Sequence, residues 1–213
     1  MAKMGGTGSE KLAAAFRKYG QLRRLPAGGQ IFLKNDEAGE IYYLVKGRVR
    51  AYLLYPDGVE RTLCYVESGN LVGEELMAHP PRRIVCADAA TEILLLAMNR
   101  SQLDRAAEKE GEILRELLSL FMQKIELLCN WIFFGQFSHN EARIACFLYD
   151  HSERRAAISY TQEQIAQVTG MSRVSVSQCL GRFADNGLIE KGYGKIRVLD
   201  RPALREYFHE QEF

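Results

Sequence analysis

The sequence predicts an α+β fold with three parts: an N-terminal antiparallel β-roll over residues 1–110, a long dimerisation helix and hinge over 111–136, and a small domain of short helices and strands over 137–213. Three observations support this prediction. Short apolar stretches separated by turn residues fill the first part, a heptad pattern of apolar residues follows, and two helix-length segments joined at a glycine lie in the last part.

The composition indicates a folded protein without a membrane-spanning segment. Of the 213 residues, 47% are hydrophobic and 26% are charged, and the net charge is +1. This apolar content is enough to offset the entropy that is lost on ordering. No apolar run approaches the roughly 20 residues that span a bilayer, and the N-terminus lacks the apolar core of a signal peptide. We therefore expect a cytoplasmic protein with no membrane partner.

In the first part, residues 1–8 are expected to form a flexible leader and Glu10–Tyr19 a short amphipathic helix. The apolar stretches that follow predict strands at Gln30–Lys34, Ile41–Val45, Val49–Tyr55, Thr62–Val66, Ile84–Ala87 and Ile93–Met98. Pro56-Asp57-Gly58 is the clearest hairpin signal among the intervening turns. Strands at this close spacing are typical of an antiparallel roll or sandwich.

Beyond Met98 the apolar residues follow a helical period. Asn99 or Ser101 is expected to cap a helix over Gln102–Glu108, and a longer helix is expected over Gly111–Phe134. One face of the long helix has a heptad seam, which consists of Leu114, Leu118, Phe121, Ile125, Leu128 and Ile132. A neighbouring face has a second apolar set, which consists of Leu117, Leu120, Leu127, Trp131 and Phe134.

A helix that is apolar on two faces must be covered on both of them. We expect one face of the long helix to pack on the β region and the seam to form a homodimer. The alternative is a helix that lies wholly inside one large core. The segment Gly135–His139 breaks the pattern and is expected to be a hinge.

Three more helices are predicted over Asn140–His151, Thr161–Val168 and Arg173–Asn186. The last two have the form of a helix-turn-helix: Thr161 and Gln164 suit a capping box, Gly170 suits the left-handed turn, and Ser172 suits the second cap. The second helix then directs its outer face toward a DNA major groove. The residues expected to contact DNA are Thr161, Gln162, Ser172, Arg173, Val174, Ser175, Ser177 and Gln178.

Short strands around Ile189 and over Ile196–Leu199 predict a β-hairpin wing, where Lys191 and Lys195 are expected to contact DNA phosphates. Residues 171–197 include five basic and two acidic side chains, a local net charge of +3. A strand is also expected at Ala156–Tyr160, and residues 201–213 are expected to be a helix or a loose end. The alternative is a three-helix bundle with an incidentally basic surface.

The order of β-roll, heptad helix and winged helix-turn-helix resembles the Crp/Fnr family of bacterial transcription regulators. The matching residues are Ile41–Val49, Pro56–Gly58, Gly69–Glu75, the heptad helix and Ile165–Ile189. The resemblance implies a cupin-like jelly roll similar to cyclic-nucleotide-binding domains. It also implies a homodimer, allosteric control by a small-molecule effector, and RNA polymerase as a further partner. Two-fold symmetry then predicts a palindromic operator in double-stranded DNA.

The sequence departs from the pattern of the family's cyclic-nucleotide members. In those members a Gly-Glu pair binds the ribose, and Gly73-Glu74 matches it. An Arg-Ser or Arg-Thr pair binds the cyclic phosphate, but no Ser or Thr follows Arg82 or Arg83, and Pro81 stands at the position of the phosphate-binding arginine. Cyclic AMP is therefore disfavoured, and another anionic or organic effector is expected.

The expected effector pocket has Gly73, Glu74, Arg82 and Arg83 on its polar side. For the two arginines, exposed basic loop residues are the alternative. On the long helix, Leu128 and Cys129 stand where the cyclic-nucleotide members have a polar Thr-Ser pair that touches adenine. These two residues are expected to form the helix side of the pocket.

Other sensing chemistries and an enzyme are disfavoured. No cysteine precedes Cys64, so the N-terminal cysteine cluster of the family's iron–sulfur sensors is missing, and His79 does not match the position of the haem-ligating histidine. The sequence has no phosphate loop, nucleophile elbow or HExxH motif, so we expect no catalytic residue, no metal site and no cofactor. The remaining alternative is a ligand-independent or thiol-redox-switched regulator, with the β-roll as a scaffold and Cys64, Cys86 and Cys129 as candidate thiols.

The predicted DNA-reading residues differ from those of the cyclic-AMP receptor group. That group has Arg, Glu and Arg at the positions of Arg173, Val174 and Gln178, and only the first is kept here. The methyl groups of Val174 favour contact with a thymine methyl, and Gln178 suits adenine better than guanine. We therefore expect a half-site that is richer in A/T.

Overall fold

The computed structural model describes residues 2–4, 10–152, 157–192 and 195–209. The chain divides into two units, one over Lys3–Ile125 and the other over Glu126–Phe213 together with Met1–Ala2. Each unit has its own apolar core, and the boundary between the units lies within the long helix.

Two antiparallel sheets make up most of the first unit. Their strands are β1 (Ala2–Met4), β2 (Gln21–Leu25), β3 (Gln30–Phe32), β4 (Glu40–Lys46), β5 (Arg48–Leu54), β6 (Glu60–Glu67), β7 (Leu71–Val72), β8 (Cys86–Ala89) and β9 (Ile93–Asn99). The five-stranded sheet has the order β1-β6-β5-β8-β3, and the four-stranded sheet has the order β2-β9-β4-β7. The rings of Phe32 and Tyr42 stack between the two sheets with centroids 6.4 Å apart. The predicted antiparallel β-roll is confirmed.

The hairpin predicted at Pro56-Asp57-Gly58 joins β5 and β6. Gly58 adopts the left-handed conformation, with φ at 82°. The N–H of Tyr55 donates to the carbonyl of Val59 at 2.9 Å, which closes the turn. The turn residues therefore set the register of the two longest neighbouring strands, as the sequence indicates.

Two strands were not predicted from the sequence, and the start of a third strand was placed at the wrong residue. β2 pairs along its whole length with β9, yet four of its five side chains are exposed, so the apolar alternation of a strand is missing. β7 has only two residues. The strand predicted from Ile84 begins at Cys86 instead, and Ile84 is exposed because the preceding side chain, Arg83, occupies the interior.

The leader predicted over residues 1–8 is wrong for residues 2–4, which form the edge strand β1. Backbone pairing at a sheet edge needs no apolar side chain, so no apolar pattern in the sequence indicates this strand. The other leader residues lie outside the described part of the chain.

Two short helices cover the first unit. α1 (Glu10–Tyr19) has the predicted bounds and buries Leu12 and Phe16. α2 (Arg100–Lys109) is capped by Asn99 rather than Ser101. The Asn99 side chain accepts the N–H of Gln102, and the Gln102 side chain accepts the N–H of Asn99, each at 2.9 Å. This reciprocal pair is a capping box.

The long helix α3 (Ile113–Gly135) has the two apolar faces that its sequence predicts. Ile113, Leu117, Leu120, Leu127 and Phe134 are buried. Most of the seam lies in solvent: Leu114, Leu118, Ile125, Leu128 and Ile132 are 49–68% exposed, and Phe121 is partly buried. The alternative of a helix wholly inside one core is therefore wrong. By length and composition, α3 is also apolar enough to cross a bilayer.

The second unit contains α4 (Asn140–Ser152), α5 (Gln162–Thr169), α6 (Arg173–Asp185), β10 (Ile189–Gly192), β11 (Lys195–Val198) and α7 (Arg201–His209). The strand expected at Ala156–Tyr160 is reduced to one bridge, in which Ile158 pairs with Ile196; Ala156 lies outside the described residues. The terminal segment forms a helix as far as His209. Phe147, Val176 and Phe183 are fully buried and hold these elements around one core.

Candidate DNA interface and effector pocket

The turn between α5 and α6 has the geometry that its sequence predicts. The N–H of Gln164 donates to Thr161 Oγ1 at 3.2 Å, and the N–H of Thr161 donates to Gln164 Oε1 at 2.8 Å, so α5 begins with a capping box. Gly170 ends α5 in the left-handed conformation, with φ at 69°. The N–H of Ser175 donates to Ser172 Oγ at 3.0 Å, which caps α6.

The two faces of α6 differ sharply in exposure. Its inner face buries Val176, Cys179, Leu180 and Phe183. On its outer face Arg173, Val174, Ser177 and Gln178 are exposed. Val174 is 67% exposed, although it is apolar and lies at the start of the helix. An apolar side chain in this place suits contact with a thymine methyl group.

Not every predicted DNA-contacting side chain is equally available. The Ser175 hydroxyl lies 2.8 Å from the Ser172 hydroxyl, and both residues are partly buried. Thr161 Oγ1 accepts the Gln164 N–H in the α5 cap, so its O–H and the side-chain N–H groups of the neighbouring Gln162 remain as donors for a phosphate. The role of each of these residues on DNA stays a prediction.

The basic residues around α6 and the wing fall into two groups. Arg182 forms an ion pair with Glu141, and Arg197 forms one with Glu190 at 3.2 Å. For Arg173, Lys191 and Lys195, which are exposed, no described carboxylate lies within 4.0 Å. These three side chains therefore supply positive charge that no described acidic side chain neutralises.

The wing itself has the predicted hairpin form. β10 and β11 are antiparallel, and Gly192 pairs with Lys195 across the hairpin. Lys191 and Lys195 are exposed, while Ile189 and Ile196 are buried in the core below them. The tip of the wing, residues 193–194, lies outside the described part of the chain.

Arg83 is a buried residue of the first unit, so its interpretation as an exposed loop residue is wrong. Only 3% of Arg83 is exposed. Its guanidinium donates to the carbonyls of Gly73 at 2.8 Å and Glu40 at 2.6 Å, and it pairs with Glu75 at 3.2 Å. It also lies over the ring of Phe32, 4.2 Å from the centroid. Arg83 therefore joins the two sheets from inside.

Gly73 is required by this arrangement. Its φ is 85°, and a Cβ atom built on it would lie 2.5 Å from Nη1 of Arg83. Arg82, in contrast, is exposed, and it donates to the carbonyl of Asn35 at 3.1 Å. Of the two arginines assigned to the effector, Arg82 is thus the one whose side chain faces solvent.

Glu74 has a partner that the sequence analysis missed. Lys124 of α3 donates to the Glu74 carboxylate and to the carbonyl of Leu71, the latter at 3.0 Å. Burial lowers the pKa of Lys124 from 10.5 to about 8. The signal was present in the sequence, because Lys124 follows Leu117 and Leu120 and precedes Leu127 on the same inward face of α3.

The remaining residues assigned to sensing are scattered. Leu128 and Cys129 lie on α3 in the second unit, and both are exposed. Cys64 and Cys86 are buried in the first unit, and burial raises the pKa of Cys64 to about 11. His79 is exposed, and no group of three His, Cys, Asp or Glu side chains suited to a metal occurs among the described residues.

Two protein-family models match the chain, and together they cover most of it. The model described as a cyclic nucleotide-binding domain matches residues 22–110. The model described as a Crp-like helix-turn-helix domain matches residues 142–207. These ranges correspond to the β-roll and to the domain that contains α5, α6 and the wing.

The chain is also similar to curated bacterial regulators along nearly its whole length. A CRP-like cAMP-activated global transcriptional regulator of Mycobacterium tuberculosis is 28% identical over 200 residues, which are 90% of this chain and 89% of the relative. The transcriptional regulator LdrP of Thermus thermophilus is 29% identical over 188 residues, 86% of this chain and 94% of the relative.

Solved structures show the same fold. The Thermus thermophilus catabolite activator protein has a TM-score of 0.51 at 24% identity and covers 97% of this chain, with 98% of that structure matched. OCPA-complexed CprK has a TM-score of 0.66 at 19% identity, with 92% of this chain and 94% of that structure matched. At these identities the likeness concerns the fold alone.

Proposed function

This chain is a member of the Crp/Fnr family of transcription regulators, and from this premise we propose that it is an effector-responsive homodimer that binds a palindromic operator. It is a Crp-like DNA-binding regulator with a cyclic-nucleotide-binding-like domain. The observation that most supports the proposal is the turn of α5 and α6, where two caps and a left-handed glycine present an exposed outer face of α6 beside three unneutralised basic residues.

The exposed seam of α3 supports the homodimer. Five large apolar side chains spaced as a heptad are costly to leave in water, at about 25 cal/mol per Å². A second copy of the same helix covers such a seam by knobs-into-holes packing. Insertion into a bilayer fits less well, because the neighbouring face of α3 packs into protein cores through Leu117, Leu120 and Phe134.

Two-fold symmetry gives the proposed operator its form. In dimers with a helix-turn-helix, the two recognition helices lie roughly 34–36 Å apart, one DNA turn. We expect Arg173 to read one guanine or bind a phosphate, Gln178 to pair with adenine, and Val174 to contact thymine. The half-site is then richer in A/T than that of the cyclic-AMP receptor group.

The proposed effector site lies in the β-roll beside Gly73, Glu74, Arg82 and Arg83, with Leu128 and Cys129 as its predicted helix side. Binding there biases the orientation of α3 and, through it, of the DNA-binding domains. The effector differs from cyclic AMP, since the residues at the phosphate and adenine positions differ. A cytoplasmic location, RNA polymerase as a partner and the absence of catalysis follow from the same function.

A specific observation favours a second candidate, a ligand-independent regulator whose β-roll is a scaffold. Glu74 is already paired with Lys124, and the two terminal nitrogens of Arg83 already donate to two carbonyls and to Glu75. The charged groups assigned to the effector thus already have partners within the first unit. The redox version is less favoured, because burial raises the pKa of Cys64 and disfavours the reactive thiolate.

A DNA-binding titration separates the candidates. The full chain is refolded from denaturant to remove co-purified molecules and titrated onto labelled operator DNA, with and without reductant, cyclic AMP or inorganic phosphate. The effector-responsive function predicts weak binding that the fraction removed during refolding restores. Equally tight binding before and after refolding, independent of reductant, would identify the scaffold regulator. A large response to cyclic AMP would contradict the predicted change of effector.

A further inference from the structure

Trp131, on the last turns of α3, contacts the turn between α5 and α6 within the second unit. Its indole N–H donates to the carbonyl of Gln167 at 2.7 Å. This carbonyl lies at the C-terminal end of α5, where helix geometry leaves acceptors for partners outside the helix. The N–H groups of Gly170 and Met171 both go to the carbonyl of Ala166 instead. The long helix thus supplies a hydrogen bond to the very end of α5.

The indole ring also packs against the turn glycine. A Cβ atom built on Gly170 would lie 3.2 Å from Cδ1 and 3.4 Å from Cγ of Trp131. Gly170 is therefore constrained twice, by its left-handed φ of 69° and by the ring above it. Two residues farther on, Ser172 caps α6, so the contact lies directly before the predicted DNA-reading helix.

The residues around Trp131 fix this end of α3 to the second unit. Phe134 is 5% exposed and lies 6.3 Å from Phe147, ring centroid to ring centroid. Phe137, just past the helix, is buried as well, and its carbonyl accepts from Arg143 Nε at 3.0 Å. The segment predicted to be a hinge is therefore anchored at Phe137, while Gly135, Gln136, Ser138 and His139 are exposed.

On a neighbouring face of the same turns lie the seam residues Leu128 and Ile132, 49% and 68% exposed. One short stretch of helix thus contacts the turn of the helix-turn-helix with one face and presents the proposed dimer seam on the neighbouring face. Whatever fixes the pair of long helices then fixes both turns as well.

We propose that Trp131 is a positioning residue for operator binding: it ties each DNA-reading helix to its own long helix and so sets the separation and angle of the two α6 helices in the dimer. This inference rests on the proposed homodimer and palindromic operator. A dimer gains affinity from its second half-site only when both recognition helices fit together, because effective concentration is lost if the geometry does not match. Loosening the Trp131 contact reduces this gain without changing what one α6 helix reads.

The first test needs no DNA. Gly170→Ala is compared by thermal unfolding in the wild-type and Trp131→Ala backgrounds. In both backgrounds the positive φ at position 170 strains the alanine. Only in the wild-type background does the alanine Cβ also crowd the indole ring of Trp131. The expected result is a smaller loss of melting temperature in the Trp131→Ala background. Equal losses in the two backgrounds would show that the contact is absent in solution and would overturn the proposal.

The second test uses three DNA probes built from the operator that selection on random DNA recovers: the palindrome, a single half-site, and the palindrome with two base pairs inserted between half-sites. Trp131→Ala is expected to lose roughly tenfold or more in affinity for the palindrome. Its affinity for the half-site stays near that of the wild type, and its preference for the correct spacing shrinks. Trp131→Phe, which keeps a ring but lacks the N–H donor, is the matched control and is expected to show a smaller loss in the same direction.

Unchanged palindrome affinity and spacing preference in Trp131→Ala would contradict the positioning role. So would equal losses on all three probes, which indicate a direct DNA contact or general destabilisation. Failure of the proposed function gives a different result, because the wild type itself then binds the palindrome no more tightly than the half-site. The Gly170→Ala comparison still tests the Trp131 contact in that case.

Discussion

The charged pair of Lys124 and Glu74 connects α3 to the β-roll at the point where the sequence places the effector. Both side chains are about four-fifths buried. Removing one member of such a pair leaves the other charge unpaired in a desolvated place, whereas replacing both is often milder. A single residue that interrupts an apolar stripe therefore reveals a tertiary contact that the strand and helix patterns alone do not show.

Lys124→Met is expected to destabilise the protein by about 1–3 kcal/mol, because Glu74 loses its partner. Adding Glu74→Gln is expected to restore part of the loss. Urea unfolding at neutral pH measures both. The comparison includes Glu74→Gln alone. If the double variant loses as much unfolding free energy as Lys124→Met and Glu74→Gln lose in sum, the two side chains do not form a pair in solution.

The burial of Lys124 also predicts a pH dependence. Because the pKa of Lys124 in the folded protein is about 8 and its usual value is 10.5, the unfolded chain binds more protons between these pH values. Stability from this group therefore rises with pH across that window. Above pH 9 the raised pKa of Cys64, about 11, acts in the opposite direction. The measurement is the slope of the unfolding free energy against pH from pH 8 to 9, in the wild type and in Lys124→Met. The wild-type slope minus the Lys124→Met slope is expected to be positive. A zero or negative difference would contradict the lowered pKa of Lys124.

The two neighbouring arginines of the β-roll are expected to separate structure from sensing. Arg83→Ala removes a guanidinium that satisfies two carbonyls and Glu75, and it is expected to cost about 3 kcal/mol or more. Arg82→Ala is expected to keep the wild-type melting temperature and to lose the response to an anionic effector. The control for sensing is Arg82→Lys, which keeps the charge. An unchanged response in Arg82→Ala would place the effector site elsewhere.

Two side chains of the DNA interface are expected to act differently. Gln178→Ala removes a bidentate partner worth about 1–3 kcal/mol of discrimination, so specificity relaxes at one symmetric pair of base positions. Lys195→Ala removes an exposed charge on the wing and weakens binding to all sequences alike, with a lower salt slope. Titrations at several salt concentrations on the operator and on substituted operators measure both effects. The assignments fail if Lys195→Ala alters base preference or if Gln178→Ala changes only the salt slope.

At the scale of elements, α3 shows what a pattern of apolar residues can and cannot predict about the contacts of a helix. Its period predicted two apolar faces, and the structure buries one set and exposes the seam. The pattern could not show that the C-terminal turns belong with the helix-turn-helix, because that depends on Trp131 and Phe134 meeting residues far along the chain. β2 shows the opposite limit, since an edge strand with four exposed side chains, three of them polar, is recognisable only through its pairing.

The seam of α3 yields a prediction for the whole element. Phe121→Asp with Leu128→Asp places two charges in each helix of the proposed interface and is expected to give monomers that bind DNA weakly. The matched control is Glu126→Asp, an exposed carboxylate on the same helix outside the seam. Light scattering at micromolar concentration measures the oligomeric state. A wild type that is monomeric under all conditions would refute the dimer.

At the scale of the whole molecule, the order of β-roll, long helix and winged helix-turn-helix could be predicted because each part has a local signature. Turn residues marked the hairpins, the heptad marked the long helix, and the caps with Gly170 marked the DNA-binding turn. The polar contacts of the predicted effector site were harder to predict from the sequence, because the groups that form them come from distant segments of the chain. The apolar stripe of α3 marks Lys124 as inward-facing, but its partner Glu74 and the inward turn of Arg83 depend on packing between distant segments, which no local pattern encodes.

The central claim is that two copies of this chain read an inverted repeat with the outer faces of their α6 helices. Selection of bound sequences from random double-stranded DNA, with the full-length protein, tests it most directly. The account predicts a palindrome whose half-sites are centred about one DNA turn apart and are richer in A/T than those of the cyclic-AMP receptor group. Recovery of that group's own consensus, or of sequences without any inverted repeat, would contradict it.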